Sequence, residues 1–151
     1  WRRAAPGYSS QVLGPHFEQL AREWTAGPHG LEWGVNPVSV GPAVVNDARG
    51  HSKHQVDVLA FADSPKTAGQ LPIAVLGEAK ATSRARGLDD LRRLEAIRGL
   101  LASRGHEVAG CRLVVFSHRG FDPGLADEAS RRRDVELVGL ERLYHELSHG
   151  S

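Results

Sequence analysis

The chain of 151 residues contains no methionine, one cysteine and no long apolar run. Because no apolar stretch approaches the roughly 20 residues that span a bilayer, and no signal-peptide pattern is present, we expect no membrane partner. The lone Cys111 rules out a disulfide framework and is expected to be a buried strand thiol in a reducing compartment, so the cytoplasm is the expected location. Since the chain begins at Trp1 and lacks methionine, we expect a domain excised from a longer protein.

A strong excess of charge is also missing. The formal net charge of +1 gives no overall attraction to nucleic acid, so any electrostatic binding must come from a local patch. No Gly-x-x-x-x-Gly-Lys-Ser/Thr motif occurs, which excludes the P-loop ATPase class for this polypeptide. The length predicts one domain with one core, residues 1–151.

What the sequence does contain is a pair of apolar runs that carry acids. Asp57 lies in the run at residues 56–61, and Glu78 and Lys80 follow the run at residues 73–76. Both runs are rich in β-branched residues and a polar segment separates them, which predicts two strands joined by a hairpin loop. If the hairpin loop is centred near residues 66–68, Asp57 lies opposite Glu78 on the neighbouring strand. Side chains alternate along a strand, so Lys80, two residues after Glu78, lies on the same face as Glu78.

Two carboxylates this close disfavour joint ionisation, which a divalent cation would relieve. Mg²⁺ typically takes one or two carboxylates, with phosphate oxygens and water completing its shell, and such a metal activates water in phosphoryl transfer. Lys80 would then act as a point charge on phosphate or orient the attacking water. The alternative is a structural salt-bridge network of Asp57, Glu78 and Lys80.

A helix is predicted before these strands, at residues 14–24, with Pro15 near its start. Glu18 lies beside the apolar stripe of this helix. A first strand is expected at residues 34–42 or 43–45, and its prolines indicate an edge or irregular strand.

In this order the motifs resemble the PD-(D/E)xK nuclease superfamily, with its restriction-endonuclease-like fold. Asp57 matches the acid of the second strand, and residues 78–80 match the ExK motif, although Val56 stands where the literal motif has proline. The resemblance implies an α/β fold whose core runs helix, three strands, helix, strand, with helices on both faces of a mixed central sheet. It also implies a DNA nuclease that depends on Mg²⁺ or Mn²⁺.

The same resemblance implies roles for particular residues. Asp57, Glu78 and Lys80 would be catalytic. Asp57 and Glu78 would bind metal, with the backbone carbonyl of Ala79 as a further ligand and Glu18 as an additional acidic ligand from the helix. The alternative for Glu18 is an ordinary solvated side chain.

More narrowly, residues 12–18, 55–58 and 76–80 are similar to the nuclease-like C-terminal domain of archaeal-type AAA+ ATPases. This resemblance spans about residues 12–118. In that group the domain follows an ATPase module and a winged helix, so it implies both as partners in the same chain. The rival function is a nuclease-fold module that no longer cuts and instead binds DNA or regulates the ATPase.

Contacts to nucleic acid are predicted around the same strands. Gln55 resembles the polar residue often found before the strand acid, although a plain edge-strand residue is the favoured alternative. Thr82 and Arg84 lie in the connection that leaves Lys80, where they would touch a phosphate backbone. The alternative is a solvated loop.

The rest of the chain predicts alternating elements. We expect an amphipathic helix at residues 87–101, a buried strand at 111–116, a helix at 122–133 ending in solvated arginines, a strand at 135–138 and a terminal helix.

Residues 145–149 of that last helix match the zinc-protease pattern His-Glu-x-x-His. We reject a protease because a catalytic zinc needs a third ligand and the buried stripe is expected at Leu140, Leu143, Tyr144 and Leu147, which turns the histidines to water.

Overall fold

The computed structural model describes residues 14–63, 71–82 and 84–149. The centre of the predicted β-hairpin loop, residues 64–70, and the first residues of the 12–18 string lie outside this range. The helices are α1 (Gly14–Thr25), α2 (Pro28–Glu32), α3 (Leu88–Ser103), α4 (Pro123–Ser130) and α5 (Leu140–His149). The strands are β1 (Gly41–Asp47), β2 (Ser52–Phe61), β3 (Ile73–Lys80), β4 (Arg112–Ser117) and β5 (Val135–Gly139).

The strands form one mixed five-stranded sheet in the order β1-β2-β3-β4-β5. The first three strands are antiparallel neighbours. The pairs β3–β4 and β4–β5 are parallel, and each is joined through a crossover helix, α3 or α4. The predicted order of helix, three strands, helix, strand is therefore confirmed.

Helices cover both faces of the sheet because the strands are apolar on both sides. On β4, Val114 and Phe116 pack with α1 and α5, whereas Leu113 and Val115 pack with α3 and α4. Such near-continuous apolar runs are typical of parallel strands buried on two faces. The result is a three-layer α/β/α domain, as predicted.

Several boundaries differ from the sequence prediction. The first strand is β1, Gly41–Asp47, and it lies at the sheet edge as its proline indicated. β2 begins at Ser52, four residues before the predicted start, because a short hairpin pairs Ser52 with Asp47. Tyr144 was wrongly predicted as buried: it is 47% exposed, whereas Leu143 is fully buried.

The prediction of a helix that runs to residue 133 and ends in solvated arginines is wrong for the helix end and for Arg132, whereas Arg131 and Arg133 are exposed. The helix ends at Ser130, so residues 131–133 follow it. Arg132 is half-buried and pairs with Glu95, Glu128 and Asp134 at 2.8–3.3 Å. These ion pairs tie α3, α4 and β5 together, so Arg132 is a structural residue and not part of a solvated helix end.

No helix within the described residues is long and apolar enough to cross a bilayer.

Candidate active site

The register of the β2–β3 hairpin matches the sequence prediction. Val58 pairs with Gly77 and Leu59 pairs with Leu76, so one step further the same register sets Asp57 against Glu78. The acids are therefore neighbours along the sheet.

Their side chains nevertheless turn to different helices. Between β1 and β2 the register shifts from Gly41–Leu59 to Ala43–Val56, which leaves one extra residue in β2. Val56 accordingly packs on the α3 face while Val58 packs on the α1 face, although strict alternation would put both on one face. Asp57 lies at this β-bulge, a feature that re-aims side chains.

Asp57 is held on the α1 side. Its carboxylate accepts a hydrogen bond from the backbone N–H of Ala79 at 2.9 Å. Its backbone carbonyl accepts a hydrogen bond from the guanidinium of Arg22 at 3.0 Å. The Asp57 side chain also lies near Glu18 of α1. The β-bulge and these contacts fix the carboxylate beside the buried backbone of the ExK motif.

Glu18 is half-buried against Asp57 and is not an ordinary solvated side chain. Burial raises the pKa of Glu18, and the nearby charge of Asp57 raises it further, while Arg22 and Lys80 act in the opposite direction. Two carboxylates this close disfavour joint ionisation, and a metal ion between them would relieve that conflict.

Glu78 is directed to the α3 side. Its Oε1 accepts the Arg93 guanidinium at 2.9 Å and lies 3.8 Å from the Lys80 ammonium. The prediction that Asp57, Glu78 and Lys80 share one face is therefore wrong for the two acids. The β-bulge explains the difference, because it rotates Asp57 but leaves Glu78 in the regular alternation of β3.

The environment of Glu78 is unusual for a carboxylate. Only 3% of the residue is exposed, and its Oε2 is buried without a hydrogen-bond partner. Burial raises the pKa of Glu78 to about 7; Arg93 and Lys80 lower it, and Asp90 raises it further. A buried oxygen with no partner needs a proton or a cation.

Two neighbouring carboxylates are available here to bind a divalent metal. Within the described residues no three His, Cys, Asp or Glu side chains gather into a metal cluster. The pair Glu18–Asp57 nevertheless supplies the two carboxylates with which Mg²⁺ is commonly held, the rest of its shell being water and phosphate oxygens. Ala79 places its backbone against this pair through its N–H.

The predicted nucleic-acid contacts lie in two places. Gln55 is exposed on β2, and its carbonyl accepts Arg93 at 2.7 Å. Thr82 and Arg84 are exposed in the loop after Lys80, where the Thr82 hydroxyl receives a guanidinium hydrogen bond from Arg86 at 3.3 Å.

Sequence reasoning missed Arg93. This residue joins Glu78 of β3 to the Gln55 carbonyl of β2 from its position on α3. The only sequence signal is a basic residue beside the apolar stripe of the helix, because its partners lie 15 and 38 positions away in the chain.

The His-Glu-x-x-His segment has a structural role. Glu146, the residue that would serve as base, accepts Arg142 at 2.5 Å and contacts His29. The contact with His29 joins α5 to α2. Because the Glu146 carboxylate binds both Arg142 and His29, it does not act as the base of a zinc site.

Comparisons with known proteins give one weak structural likeness. No protein-family model matches the chain, and no curated protein matches it. Among solved structures it is similar to the EndoMS-dsDNA2 complex, with 19% identity and a TM-score of 0.40 over 70% of this chain and 39% of that chain. This chain thus matches well under half of that protein's length, and at this TM-score the likeness carries no functional argument.

Proposed function

We propose that this domain is a metal-dependent phosphodiesterase, a nuclease that cleaves DNA with Mg²⁺ or Mn²⁺. The observation that carries the proposal is the grouping of Glu18, Asp57 and Lys80: burial and the nearby charge of Asp57 raise the pKa of Glu18, and Lys80 lowers it. Two acids, one on α1 and one on β2, and a lysine at the end of β3 are groups that suit phosphodiester hydrolysis with a divalent ion.

Glu18 and Asp57 would hold the metal, with the carbonyl of Ala79 as a further ligand. Glu78 would join them as a third acid only after its carboxylate leaves Arg93 and turns from the α3 side toward Asp57. When bound, the metal neutralises phosphate charge and lowers the pKa of a bound water. Arg22, at the Asp57 carbonyl, would keep this part of β2 in place.

Lys80 would act on the substrate. Its side chain is 42% exposed and ends β3, so the ammonium reaches solvent while remaining 3.8 Å from Glu78. A compact, mobile cation in this position would contact a phosphate oxygen and orient the attacking water. Thr82 and Arg84, which follow in the chain, would contact the neighbouring phosphates, and Gln55 would lie at the edge of the same surface.

A second candidate is a module that does not cut and that binds DNA or regulates an AAA+ ATPase through a winged-helix neighbour in the same chain. The observation that favours it is the Arg93–Glu78 pair at 2.9 Å. Arg93 holds this acid on the α3 side, away from Asp57. In a module that does not cut DNA, the Arg93–Glu78 pair would serve only to hold α3 against the sheet.

The test is cleavage of supercoiled, single-stranded and branched DNA with Mg²⁺ or Mn²⁺. We expect cutting by the native chain, and its loss in Asp57→Ala and Lys80→Ala by about 100-fold or more. Lys53→Ala, at an exposed lysine near the start of β2, is the matched control and should cut normally.

Cleavage that survives Lys80→Ala would contradict the assignment of chemistry to this site. A folded native chain that cuts no substrate, and whose Mn²⁺ binding by calorimetry is the same with and without Asp57→Ala, would favour the module that does not cut.

A further inference from the structure

Two loops leave the sheet side by side at the carboxyl ends of β3 and β4. Lys80 and Ser117 are paired at the ends of these strands. Beyond them, the Arg86 N–H donates to the Gly120 carbonyl at 3.0 Å, and the Asp122 N–H donates to the Arg86 carbonyl at 2.7 Å. The segment around Arg86, which leads from β3 to α3, and the β4 loop at residues 118–122 are therefore joined along one edge, next to Lys80.

The β4 loop, residues 118–122, has a fixed shape. The Ser117 hydroxyl donates to the Gly120 carbonyl at 2.6 Å and accepts the N–H of Arg119 at 3.2 Å. Gly120 has a φ of 92°, a left-handed conformation that glycine adopts without strain. The His118 N–H donates to the Lys80 carbonyl at 3.3 Å. The backbone of Arg119 is thus held at a set distance from Lys80.

The edge also touches the helix that carries Glu18. The His118 ring packs edge-on against Phe17 with centroids 6.1 Å apart. Since Phe17 precedes Glu18 in α1, this contact places the start of the β4 loop next to the helix that carries Glu18, and Arg119, the next residue of the loop, is exposed.

The described arginines fall into two groups, those that form ion pairs with carboxylates and those that do not. Ion pairs to carboxylates hold Arg86, Arg93, Arg98, Arg131, Arg132 and Arg142.

Arg84 and Arg119 are exposed, and among the described residues neither forms an ion pair. Arg84 lines a cleft of about 380 Å³ together with Asp89, Asp90 and Asp122, and Arg119 does not line that cleft. An exposed guanidinium without an acid partner is well suited to the oxygens of a phosphodiester.

We propose that Arg119, with Arg84 on the adjoining loop, binds the phosphodiester backbone of the nucleic acid and positions it against Lys80. The inference rests on the proposed function for the identity of the substrate. The contact is to phosphate, so it contributes affinity without base sequence preference.

The experiment is equilibrium binding of a labelled short DNA duplex, and of an RNA duplex of the same sequence, in EDTA over a range of salt concentrations. We expect Arg119→Ala to weaken binding several-fold and to reduce the slope of log K against log salt by about 1. Arg84→Ala should give a smaller loss, and Arg119→Lys should retain most of the slope. Arg104→Ala, at an exposed arginine just past α3, is the matched control and should bind as the native chain does.

Binding that is identical in native and Arg119→Ala proteins would overturn the inference, as would a native chain that binds neither duplex. RNA bound in preference, with the same dependence on Arg119, would support the backbone contact and overturn DNA as the substrate. Because EDTA prevents cleavage, the binding experiment tests the Arg119 contact independently of the proposed nuclease activity. A chain that binds through Arg119 but never cuts would contradict only the nuclease, and Lys80-dependent cutting with no effect of Arg119→Ala on binding would contradict only this contact.

Discussion

At the scale of single residues, Glu78 shows how burial changes the chemistry of an ordinary side chain. Its carboxylate has one oxygen bound to Arg93 and another buried without a partner. The low dielectric around it disfavours charge, and the nearby cations compensate only in part. Burial therefore raises the pKa of Glu78 to about 7.

This titration predicts a pH-dependent stability. The pKa of Glu78 rises from an ordinary 4.5 to about 7 on folding. The folded chain keeps a proton that the unfolded chain releases, so the contribution of Glu78 is full below about pH 4.5 and is lost as pH rises through about 7. At about 1.4 kcal/mol per pKa unit, the loss is on the order of 3 kcal/mol.

Urea unfolding in EDTA at a series of pH values measures this effect. Glu78→Gln should remove the fall in unfolding free energy across this interval. Glu107→Gln, at an exposed glutamate, should retain it. An equally steep fall in Glu78→Gln would show that another group is responsible.

At the scale of secondary-structure elements, Arg93 connects α3 to the hairpin that carries the acids. Its two terminal nitrogens bind Glu78 of β3 and the Gln55 carbonyl of β2. The side chain is 36% exposed, so water weakens the pair, but the glutamate is only 4% exposed. The arginine matters mainly because without it a buried acid loses its nearest cation.

We therefore expect Arg93→Met to destabilise the fold by about 2 kcal/mol, since it leaves a buried polar group unsatisfied. The double variant Arg93→Met, Glu78→Met should recover most of that loss, because an apolar pair needs no compensation. Chemical denaturation of the native chain, both single variants and the double variant gives the coupling energy. Additive effects of the two substitutions would show that the pair is not coupled.

At the scale of the whole molecule, the C-terminal helix completes one of the two apolar layers. Leu143 of α5 packs with Phe17 and Trp24 of α1 on the face opposite α3. Arg142 adds ion pairs to Glu136 of β5 and to Glu146. The helix thus belongs to the core despite its position at the end of the described chain.

The prediction is that Leu143→Ala lowers the unfolding free energy by about 2–5 kcal/mol, as expected for a fully buried leucine. The neighbouring Tyr144→Ala should cost far less because Tyr144 is 47% exposed. Thermal unfolding should show a single transition for both variants. Equal, small effects would place α5 outside the cooperative core.

The sequence by itself determined the order of elements, the β2–β3 register and the identity of most buried residues. Apolar periodicity and turn residues are local signals, and a hairpin register follows from where its loop lies. The helix with Glu18 and the strands with Asp57 and Glu78 were therefore predictable.

Only the tertiary structure decided how those acids are grouped. The β-bulge at Asp57 arises from the pairing of β1 with β2 and turns that carboxylate toward Glu18. Arg93 and Arg119 gain their environments from residues distant in the chain. Such long-range pairings depend on how the elements pack, which no local pattern encodes.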